Sequence, residues 1–228
     1  MPTLVLIRHG QSAWNLENRF TGWWDVGLTE KGVGEAWAAG ELMRDKGLDF
    51  DLCFTSFQTR AIKTLNLALE AMGRLWLPVE KDWRLNERHY GGLTGLDKAE
   101  TVALHGEDQV KLWRRSFDIP PPLPEEGSPW DLAQDARYRG VPIPQTESLK
   151  DTIARVLPYW EARIAPELRA GTRVVISAHG NSLRALVKHL SGISDADIAA
   201  LEIPTGQPIV YDLADDLSAR DRYYLSER

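Results

Sequence analysis

An apolar run ends in a His-Gly pair twice in this chain, in Leu4-Val5-Leu6-Ile7-Arg8-His9-Gly10 and in Val174-Val175-Ile176-Ser177-Ala178-His179-Gly180. Neither run alternates with polar residues, which is typical of strands buried on both faces of a parallel sheet. We predict strands over Thr3–Ile7 and Arg173–Ser177, and a third of the same kind over Asp51–Thr55. Ligands of open α/β sheets bind at the carboxyl ends of such strands. If the first two strands are neighbours, both histidines face one cleft there.

Helical patterns alternate with these strands. The clearest occupies 149–164, with a capping start at Ser148, and Pro158 is expected to bend it. A second apolar stripe follows Ser56, a residue suited to cap a helix, and a third ends before Gly192. The alternation predicts an α/β fold, a three-layer sandwich with a mostly parallel central sheet flanked by helices.

The size of the chain is that of one domain. It has 228 residues, of which 43% are hydrophobic and 26% are charged, and we predict a single domain over residues 1–228. Residues 97–145, called the excursion below, break the alternation, and seven of the thirteen prolines fall between Pro120 and Pro144. We therefore predict an inserted, loop-rich lid region. Two interpretations of residues 220–228 stay open, a docked strand and a flap.

Charge and composition argue against several classes of function. The net charge of -6 leaves no general basic surface for nucleic acid. The single cysteine, Cys53, cannot close a disulfide within the chain and fits a reducing compartment. The first apolar run, Leu4–Ile7, is far shorter than a signal peptide core or a spanning helix of about 20 residues. We expect a cytoplasmic protein that binds neither nucleic acid nor membrane.

The two His-Gly pairs suit a phosphate. Glycine lets the backbone approach a ligand closely, and the free N–H groups at the start of the next helix attract an anion. Arg8 adjoins His9. Arg60 is expected in the first turn of the helix that Ser56 caps, so that its side chain leans back toward the strand end. We expect Arg8, His9, Arg60 and His179 to surround one phosphoryl group.

This set of residues can perform phosphoryl transfer. A neutral imidazole attacks phosphorus and becomes a phosphohistidine, and nearby arginines keep the free imidazole neutral by lowering its pKa. Glu87 lies in a glycine-rich segment, and we expect partial burial to keep its carboxyl group protonated, ready to donate to a leaving oxygen. No metal is expected, because H-E-x-x-H, paired-cysteine and P-loop motifs are missing from the sequence.

Several motifs together resemble a known family. They are Leu6–Ser12 with Trp14-Asn15, Asn18–Trp23, Asn86–Gly91, Lys98–Thr101, Trp113–Arg115, Thr146–Leu149, Ala178–Arg184 and Ile203–Gly206. Over nearly the whole chain they resemble the histidine phosphatase superfamily and its cofactor-dependent phosphoglycerate mutase branch. The Arg-His-Gly element marks the superfamily alone, whereas Glu87–Gly91 and the Trp-Arg-Arg triplet are more specific to the mutases.

The resemblance implies a phosphoglycerate-mutase-like fold and a role for each matching residue. His9 would be the phosphorylated nucleophile, with Arg8, Arg60 and His179 as its phosphate pocket, and Glu87 the general acid and base. The substrate-binding residues would be Gly10, Gln11, Ser12, Asn15, Thr21, Gly22, Arg88, His89, Tyr90, Lys98, Arg114, Arg115, Gly180 and Asn181. Gln11 departs from the family, which commonly has glutamate at this position.

The resemblance also implies a reaction. In the family, 2,3-bisphosphoglycerate primes the nucleophile, and 3-phosphoglycerate and 2-phosphoglycerate are interconverted in glycolysis and gluconeogenesis without a metal. Homodimers or homotetramers are usual there. Three alternatives stay open: a histidine phosphatase that hydrolyses a small phosphate ester, a noncatalytic phosphate-binding module, and a metal hydrolase that a chelator would inactivate.

Overall fold

A six-stranded sheet forms the centre of the computed structural model, which describes residues 3–228. Its strands are β1 Thr3–Arg8, β2 Leu52–Thr55, β3 Val79–Lys81, β4 Val174–Ala178, β5 Pro208–Leu213 and β6 Ala219–Tyr224. Their order across the sheet is β3-β2-β4-β1-β5-β6. Strands β1 to β4 are parallel, and β5 is antiparallel to both of its neighbours. The predicted mostly parallel sheet is confirmed.

Helices cover both faces of this sheet. The α-helices are α1 Ala13–Leu16, α2 Glu30–Asp45, α3 Thr59–Ala71, α4 Lys98–His105, α5 Glu107–Arg115, α6 Leu149–Tyr159, α7 Ala165–Arg169 and α8 Gly180–Ser191. Short 3-10 helices occupy Trp83–Leu85, Gly91–Leu93, Ala136–Tyr138, Asp197–Ala200 and Leu225–Glu227, and a π-helical turn occupies Trp160–Ile164.

Successive residues of the central strand β1 face opposite helix layers. Leu4 and Leu6 pack in one core with α6 and α8, whereas Val5 and Ile7 pack in the other with α2 and α3. Burying each such side chain contributes about 1.5 to 3 kcal/mol, and this two-sided burial explains why the run contains no polar residue. The predicted three-layer sandwich is confirmed.

The register of β1 against β4 brings the two His-Gly pairs side by side. Ile7 is opposite Ser177, and Arg8 is opposite Ala178, so the histidine that follows each strand lies at the same edge of the sheet. The backbone N–H of His9 donates to the carbonyl oxygen of Ala178 over 3.0 Å. The predicted neighbourhood of the two strands is therefore confirmed.

Two of the predicted helix ends are found where the sequence places them. Ser148 caps α6 with a capping box, in which its hydroxyl accepts from the backbone of Asp151 and the Asp151 carboxylate accepts from the backbone of Ser148. Gly192 ends α8 in the left-handed conformation, at φ +62°. The helix interrupted by Pro158 changes to the π-helical turn two residues later, as expected of a residue that lacks an N–H.

The predicted cap at Ser56 is wrong. Helix α3 begins at Thr59, and its N-cap residue, Gln58, makes no side-chain capping bond. Residues 56–58 turn the chain from β2 into the helix, and the Ser56 hydroxyl is already engaged, because it hydrogen-bonds to His179. Arg60 still lies in the first turn of α3, as predicted.

The excursion is helical at its beginning and irregular afterwards. Helices α4 and α5 span most of 98–115, and beyond them the regular structure within 116–145 is the short helix Ala136–Tyr138. These two helices were not predicted, because each buries a single residue, Thr101 in α4 and Val110 in α5. The apolar stripe that would reveal them is therefore short.

Residues 220–228 contain a docked strand followed by a short 3-10 helix, which favours the first of the two interpretations left open for them. Strand β6 pairs with β5, with Tyr224 opposite Ile209, and Leu225 is buried beyond it. Across residues 3–228, no helix combines the length and the apolar character that crossing a membrane requires.

Candidate active site

His9 is placed to act as a nucleophile. Its Nδ1 lies 2.7 Å from the carbonyl oxygen of Gly10, which can only accept a hydrogen bond, so Nδ1 carries the ring proton and Nε2 is bare. Burial lowers the pKa of His9 well below 6.5, and the positive charges of Arg60 and Arg8 lower it further. The imidazole is therefore neutral at physiological pH.

His179 lies against the nucleophile. The two ring centres are 5.0 Å apart, and His179 Nε2 is 2.8 Å from the hydroxyl oxygen of Ser56. Burial lowers the pKa of His179 well below 6.5, and the charge of Arg60 adds to the effect. Two neutral imidazoles therefore share one end of the sheet.

Two arginines supply the positive charge beside these rings. Arg60 is almost fully buried, and it donates to the carbonyl oxygens of Gly22 at 2.8 Å and Trp24 at 3.1 Å. Arg8 donates to the carbonyl oxygen of Ile203 at 2.7 Å, and its Nε is buried without a hydrogen-bond partner among residues 3–228. Guanidinium groups with spare donors suit a phosphoryl group, which they can bind through paired hydrogen bonds.

Glu87 is an ionised carboxylate, so the expectation of a protonated acid is wrong. Burial is the largest influence on its pKa and raises it, but hydrogen bonds from the Arg88 backbone and the Asn181 side chain and the charges of Arg8 and Arg60 lower it by more. In all, three hydrogen bonds reach Oε1: from the backbone of Arg88 at 2.7 Å and from the backbone and side chain of Asn181 at 3.1 and 2.8 Å. Oε2 is thereby left for exchange of a proton. We call His9, Arg60, Glu87 and His179 the floor of the site.

Two side chains that sequence reasoning missed hold the Glu87 segment in place. Gln58 accepts from the backbone N–H of Glu87 at 2.9 Å and donates to the carbonyl oxygen of Gly22 at 2.8 Å. Arg155 pairs with the buried carboxylate of Glu147 at 2.6 Å and donates to the carbonyl oxygen of Glu87 at 2.9 Å. The one available signal for Arg155 was that it shares a buried face of α6 with Thr152 and Tyr159.

Charged side chains from the excursion stand at the mouth of the same cleft. Lys98 begins α4, and Arg114 and Arg115 end α5. Burial lowers the pKa of Lys98, and so do the charges of Arg114 and Arg8. Arg115 forms an ion pair with Glu202, an acid that sequence reasoning missed. We call Lys98, Arg114, Arg115 and Glu202 the rim.

The cleft gathers most of the predicted site residues. Among those predicted, it is lined by Arg8, His9, Asn15, Thr21, Gly22, Arg60, Glu87, Tyr90, Lys98, Arg114, Arg115, Gly180 and Asn181. His179 lies directly beneath this lining, against His9. Further lining residues that were not predicted are Arg19, Phe20, Arg184, Glu202 and Ile203. Arg184 lies 3.6 Å from Glu202. Its position in the first turns of α8, which begins directly after His179, was the one feature of the sequence that could have predicted it.

Three predicted residues next to the nucleophile support it from outside the cleft. A Cβ on Gly10 would lie 2.2 Å from the carbonyl oxygen of Gly32, so glycine is needed where the strand end meets α2. The Gln11 side chain accepts from the hydroxyl of Thr29 at 3.0 Å, and Ser12 caps α1. None of these three residues is among those that line the cleft.

Two more predicted residues do not line the cleft. Arg88 donates to the carbonyl oxygens of Trp113 at 3.0 Å and Arg114 at 3.3 Å, and so anchors the end of α5. His89 accepts from the backbone of Gly91 through Nδ1 at 3.0 Å, and burial lowers its pKa to about 4. His89 therefore lies outside the lining of the cleft, and its role in substrate binding stays a prediction.

The family follows from comparison with known proteins. Residues 4–223 match the model of the histidine phosphatase superfamily, branch 1, and the chain therefore belongs to this superfamily. The match covers all four floor residues. The superfamily predicted from the Arg-His-Gly element is confirmed.

Full-length relatives of this chain carry the name of one enzyme of the superfamily. The chain is 80% identical to a 2,3-bisphosphoglycerate-dependent phosphoglycerate mutase of Sphingopyxis alaskensis and 71% identical to the mutase of the same name of Zymomonas mobilis, each over 100% of both chains. A solved structure of a mycobacterial glucosyl-3-phosphoglycerate phosphatase is 27% identical, covers 98% of this chain and 97% of its own, and superposes with a TM-score of 0.74. The predicted resemblance to the mutase branch is confirmed.

Proposed function

We propose that this chain interconverts 3-phosphoglycerate and 2-phosphoglycerate through a phosphohistidine at His9, which 2,3-bisphosphoglycerate primes. The observation that carries the proposal is that positive charge extends beyond what one phosphoryl group needs. Arg8 and Arg60 stand beside the nucleophile, and three further cations stand at the rim. A substrate with a second anionic group would use both sets. The mutase name of the full-length relatives supports this assignment.

The priming donor fits the residues present. It carries two phosphates and a carboxylate, so it needs cations at both ends. The buried Nε of Arg8, which bonds to no residue within 3–228, suits an oxygen of the phosphoryl group at His9. Arg114 and Arg115 suit the distal anionic groups. Each charge-assisted hydrogen bond of this kind contributes about 1.5 to 3 kcal/mol.

The proposed transfer needs a nucleophile and groups that stabilise the phosphoryl oxygens. The bare Nε2 of His9 attacks phosphorus, a nitrogen–phosphorus bond forms, and the bond from phosphorus to the leaving oxygen breaks. Arg8, Arg60 and His179 stabilise the charge on the remaining phosphoryl oxygens. Because these donors are already held by buried partners, they need little rearrangement during the reaction.

Glu87 moves the proton. In the isomerisation half-cycle, the acceptor hydroxyl of the monophosphoglycerate attacks the phosphohistidine, its proton passes to the ionised Glu87, and the nitrogen–phosphorus bond breaks. When His9 then attacks the other phosphoryl group, Glu87 returns the proton to the leaving oxygen. The proton and the phosphoryl group both balance over the cycle. For priming of the free protein, an anion bound to Arg8 and Arg60 neutralises the charges that keep the Glu87 pKa low, and so allows its protonation.

Hydrolysis is the competing activity. The fold is shared with the mycobacterial phosphatase, and a phosphohistidine that water reaches is hydrolysed. The test measures isomerisation of 3-phosphoglycerate and release of inorganic phosphate in the same sample, with and without 2,3-bisphosphoglycerate. We expect isomerisation to exceed phosphate release by a wide margin and to depend on the bisphosphate. Equal rates would favour a phosphatase.

The proposal extends to the metal requirement, the oligomeric state, the location and the domain organisation of the chain. We propose metal-independent activity, a homodimer or homotetramer, a cytoplasmic location, and a single domain over residues 1–228 in which the excursion at 97–145 serves as the lid. Isomerisation should be unchanged by a chelator, and its loss would favour the metal hydrolase. Light scattering on the purified chain measures the oligomeric state, and a monomer would contradict the proposal.

A further inference from the structure

The side chain of Gln58 lies between the Glu87 segment and the loop that holds Arg60. Its Oε1 accepts from the backbone N–H of Glu87 at 2.9 Å, and its Nε2 donates to the carbonyl oxygen of Gly22 at 2.8 Å. That carbonyl oxygen also accepts from Arg60 Nη2 at 2.8 Å. Gln58 is fully buried. One amide group therefore connects the residue proposed to move the proton with a carbonyl group that holds an arginine of the phosphate pocket.

The two partners fix the orientation of this amide. A backbone N–H can only donate and a carbonyl oxygen can only accept, so the amide oxygen faces Glu87 and the amide nitrogen faces Gly22. At this position an ionised glutamate would lack the donor, and methionine would lack both groups. Asparagine has the amide but is shorter by a CH2 group. The length and the chemistry of glutamine are therefore both used.

The backbone of Gln58 is fixed as well. Its N–H donates to the hydroxyl oxygen of Ser56 at 3.1 Å, and its carbonyl oxygen accepts from the backbone of Ala61 at 3.1 Å and of Ile62 at 3.2 Å. These last two bonds belong to the first turns of α3, the helix that carries Arg60. The amide is thus attached to the start of α3 and reaches across to a separate segment of the chain.

We propose that Gln58 is a positioning residue that fixes the Glu87 carboxylate relative to Arg60, and so aligns the group that exchanges the proton with the phosphoryl group bound there. The inference rests on the proposed function. Without the amide, the buried N–H of Glu87 loses its acceptor, which is costly, so the segment is expected to shift. A misplacement of about 1 Å at a reacting group can lower a rate about 10²-fold.

Other contacts keep the Glu87 segment attached when this amide is lost. The backbone N–H of Phe57 donates to Asn86 Oδ1 at 3.0 Å, and Arg155 donates to the carbonyl oxygen of Glu87 at 2.9 Å. Arg60 keeps both of its carbonyl acceptors. Loss of the amide is therefore expected to displace the carboxylate within a folded site and to leave phosphate binding largely intact.

Two phosphoryl donors separate proton transfer from the rest of the chemistry. Isomerisation of 3-phosphoglycerate requires Glu87 to exchange a proton with a hydroxyl oxygen. Phosphoramidate needs no such group, because its nitrogen is already protonated at neutral pH: His9 Nε2 bonds to phosphorus, the phosphorus–nitrogen bond of the donor breaks, and ammonia leaves. In Gln58→Met, kcat for isomerisation should fall about tenfold to a hundredfold, while KM and phosphoenzyme formation from phosphoramidate stay nearly unchanged.

A second variant and a control complete the kinetic test. Gln58→Asn keeps a polar side chain that cannot span both partners, so it should lose isomerisation in the same way. Thr55→Val is the matched control, because it removes another fully buried polar group, a hydroxyl that donates to the carbonyl oxygen of Ser177 at 2.8 Å. It should keep both activities. Equal losses with both donors in the Gln58 variants would assign this residue a structural role and overturn the inference, as would full isomerisation in either variant.

Amide hydrogen exchange tests the position of Glu87 without turnover. In residue-resolved spectra of the whole chain, the N–H of Glu87 should exchange about tenfold faster or more in Gln58→Met than in the parent chain, and should be unchanged in Thr55→Val. Unchanged protection of this N–H in Gln58→Met would overturn the inference. A parent chain that protects it but does not isomerise phosphoglycerate would instead contradict the proposed function, so the two failures can be told apart.

Discussion

The floor and the rim of the cleft are built in different ways. Every floor side chain is at most 8% exposed. His9, Arg60 and His179 lie on or next to strands and helices of the central sandwich, and Glu87 accepts a hydrogen bond from Asn181 of α8. The rim cations lie on α4 and α5, and Glu202 is 63% exposed. A buried, hydrogen-bonded floor keeps reacting groups in fixed protonation states and positions, whereas a rim of half-buried cations and an exposed acid can adjust to a ligand. Chemistry is therefore expected to depend on the floor, and recognition on the rim.

Among the floor residues other than the nucleophile His9, the largest effect of a single substitution on turnover is expected at Glu87. Glu87→Gln keeps an oxygen that can accept the three hydrogen bonds but cannot take up a proton. Removal of a general acid and base lowers kcat about 10²-fold to 10⁴-fold, and KM should change little. Steady-state isomerisation assays measure both, with Glu70→Gln, an exposed acid on α3, as the control. A large rise in KM with kcat preserved would place Glu87 among the recognition residues instead.

Substitutions at the rim are expected to change KM more than the rate of phosphoryl transfer. Arg114→Gln should raise the KM for phosphoglycerate about tenfold or more, since one charge-assisted hydrogen bond is lost. Phosphoenzyme formation from phosphoramidate, a donor too small to span the cleft, should be nearly unchanged. Lys111→Gln removes an exposed cation of the same helix and serves as the control. An equal loss of activity with phosphoglycerate and with phosphoramidate would contradict the separation of recognition at the rim from chemistry at the floor.

Substitution of Glu202 is expected to lower KM, by less than substitution of Arg114 raises it. Its carboxylate pairs with Arg115, so an incoming anion must displace it. Exposed ion pairs are worth about 0.2 to 1 kcal/mol, so Glu202→Gln should lower KM by a factor of up to about five. Titration of binding at two salt concentrations checks this. A higher KM would show that Glu202 orients Arg115 for the substrate.

The two histidines of the floor are expected to stay neutral in the folded chain over the physiological pH range. Burial and the arginines lower the pKa of His9 and of His179 well below 6.5 in the folded chain, so their resonances should not titrate between pH 8 and 6. In the unfolded chain in urea they should titrate near about 6.5. The unfolded state then binds more protons below that pH, so the free energy of unfolding should fall as the pH falls. Titration of either folded ring near 6.5 would contradict the neutrality of the two imidazoles.

The contrast between the regions also explains how far the sequence could predict the site. Strand ends are local features, so an apolar run followed by His-Gly located both imidazoles, and the first turn of α3 located Arg60. Glu202 meets Arg115, and Arg155 meets Glu87, across long stretches of chain that no local pattern links. The expected protonation of Glu87 follows from burial alone, whereas in the folded chain Asn181 and two arginines reverse the effect of burial on its pKa. The same three-dimensional context turned Ser56 from a cap into the partner of His179.

The central claim is that His9 alone receives the phosphoryl group, with His179 beside it. The most direct test mixes the chain with 2,3-bisphosphoglycerate labelled in its phosphates and isolates the acid-labile phosphoenzyme. The label should appear on His9, vanish in His9→Ala, and still form, more slowly, in His179→Ala. Label that persists in His9→Ala, or that is found on His179, would contradict the account.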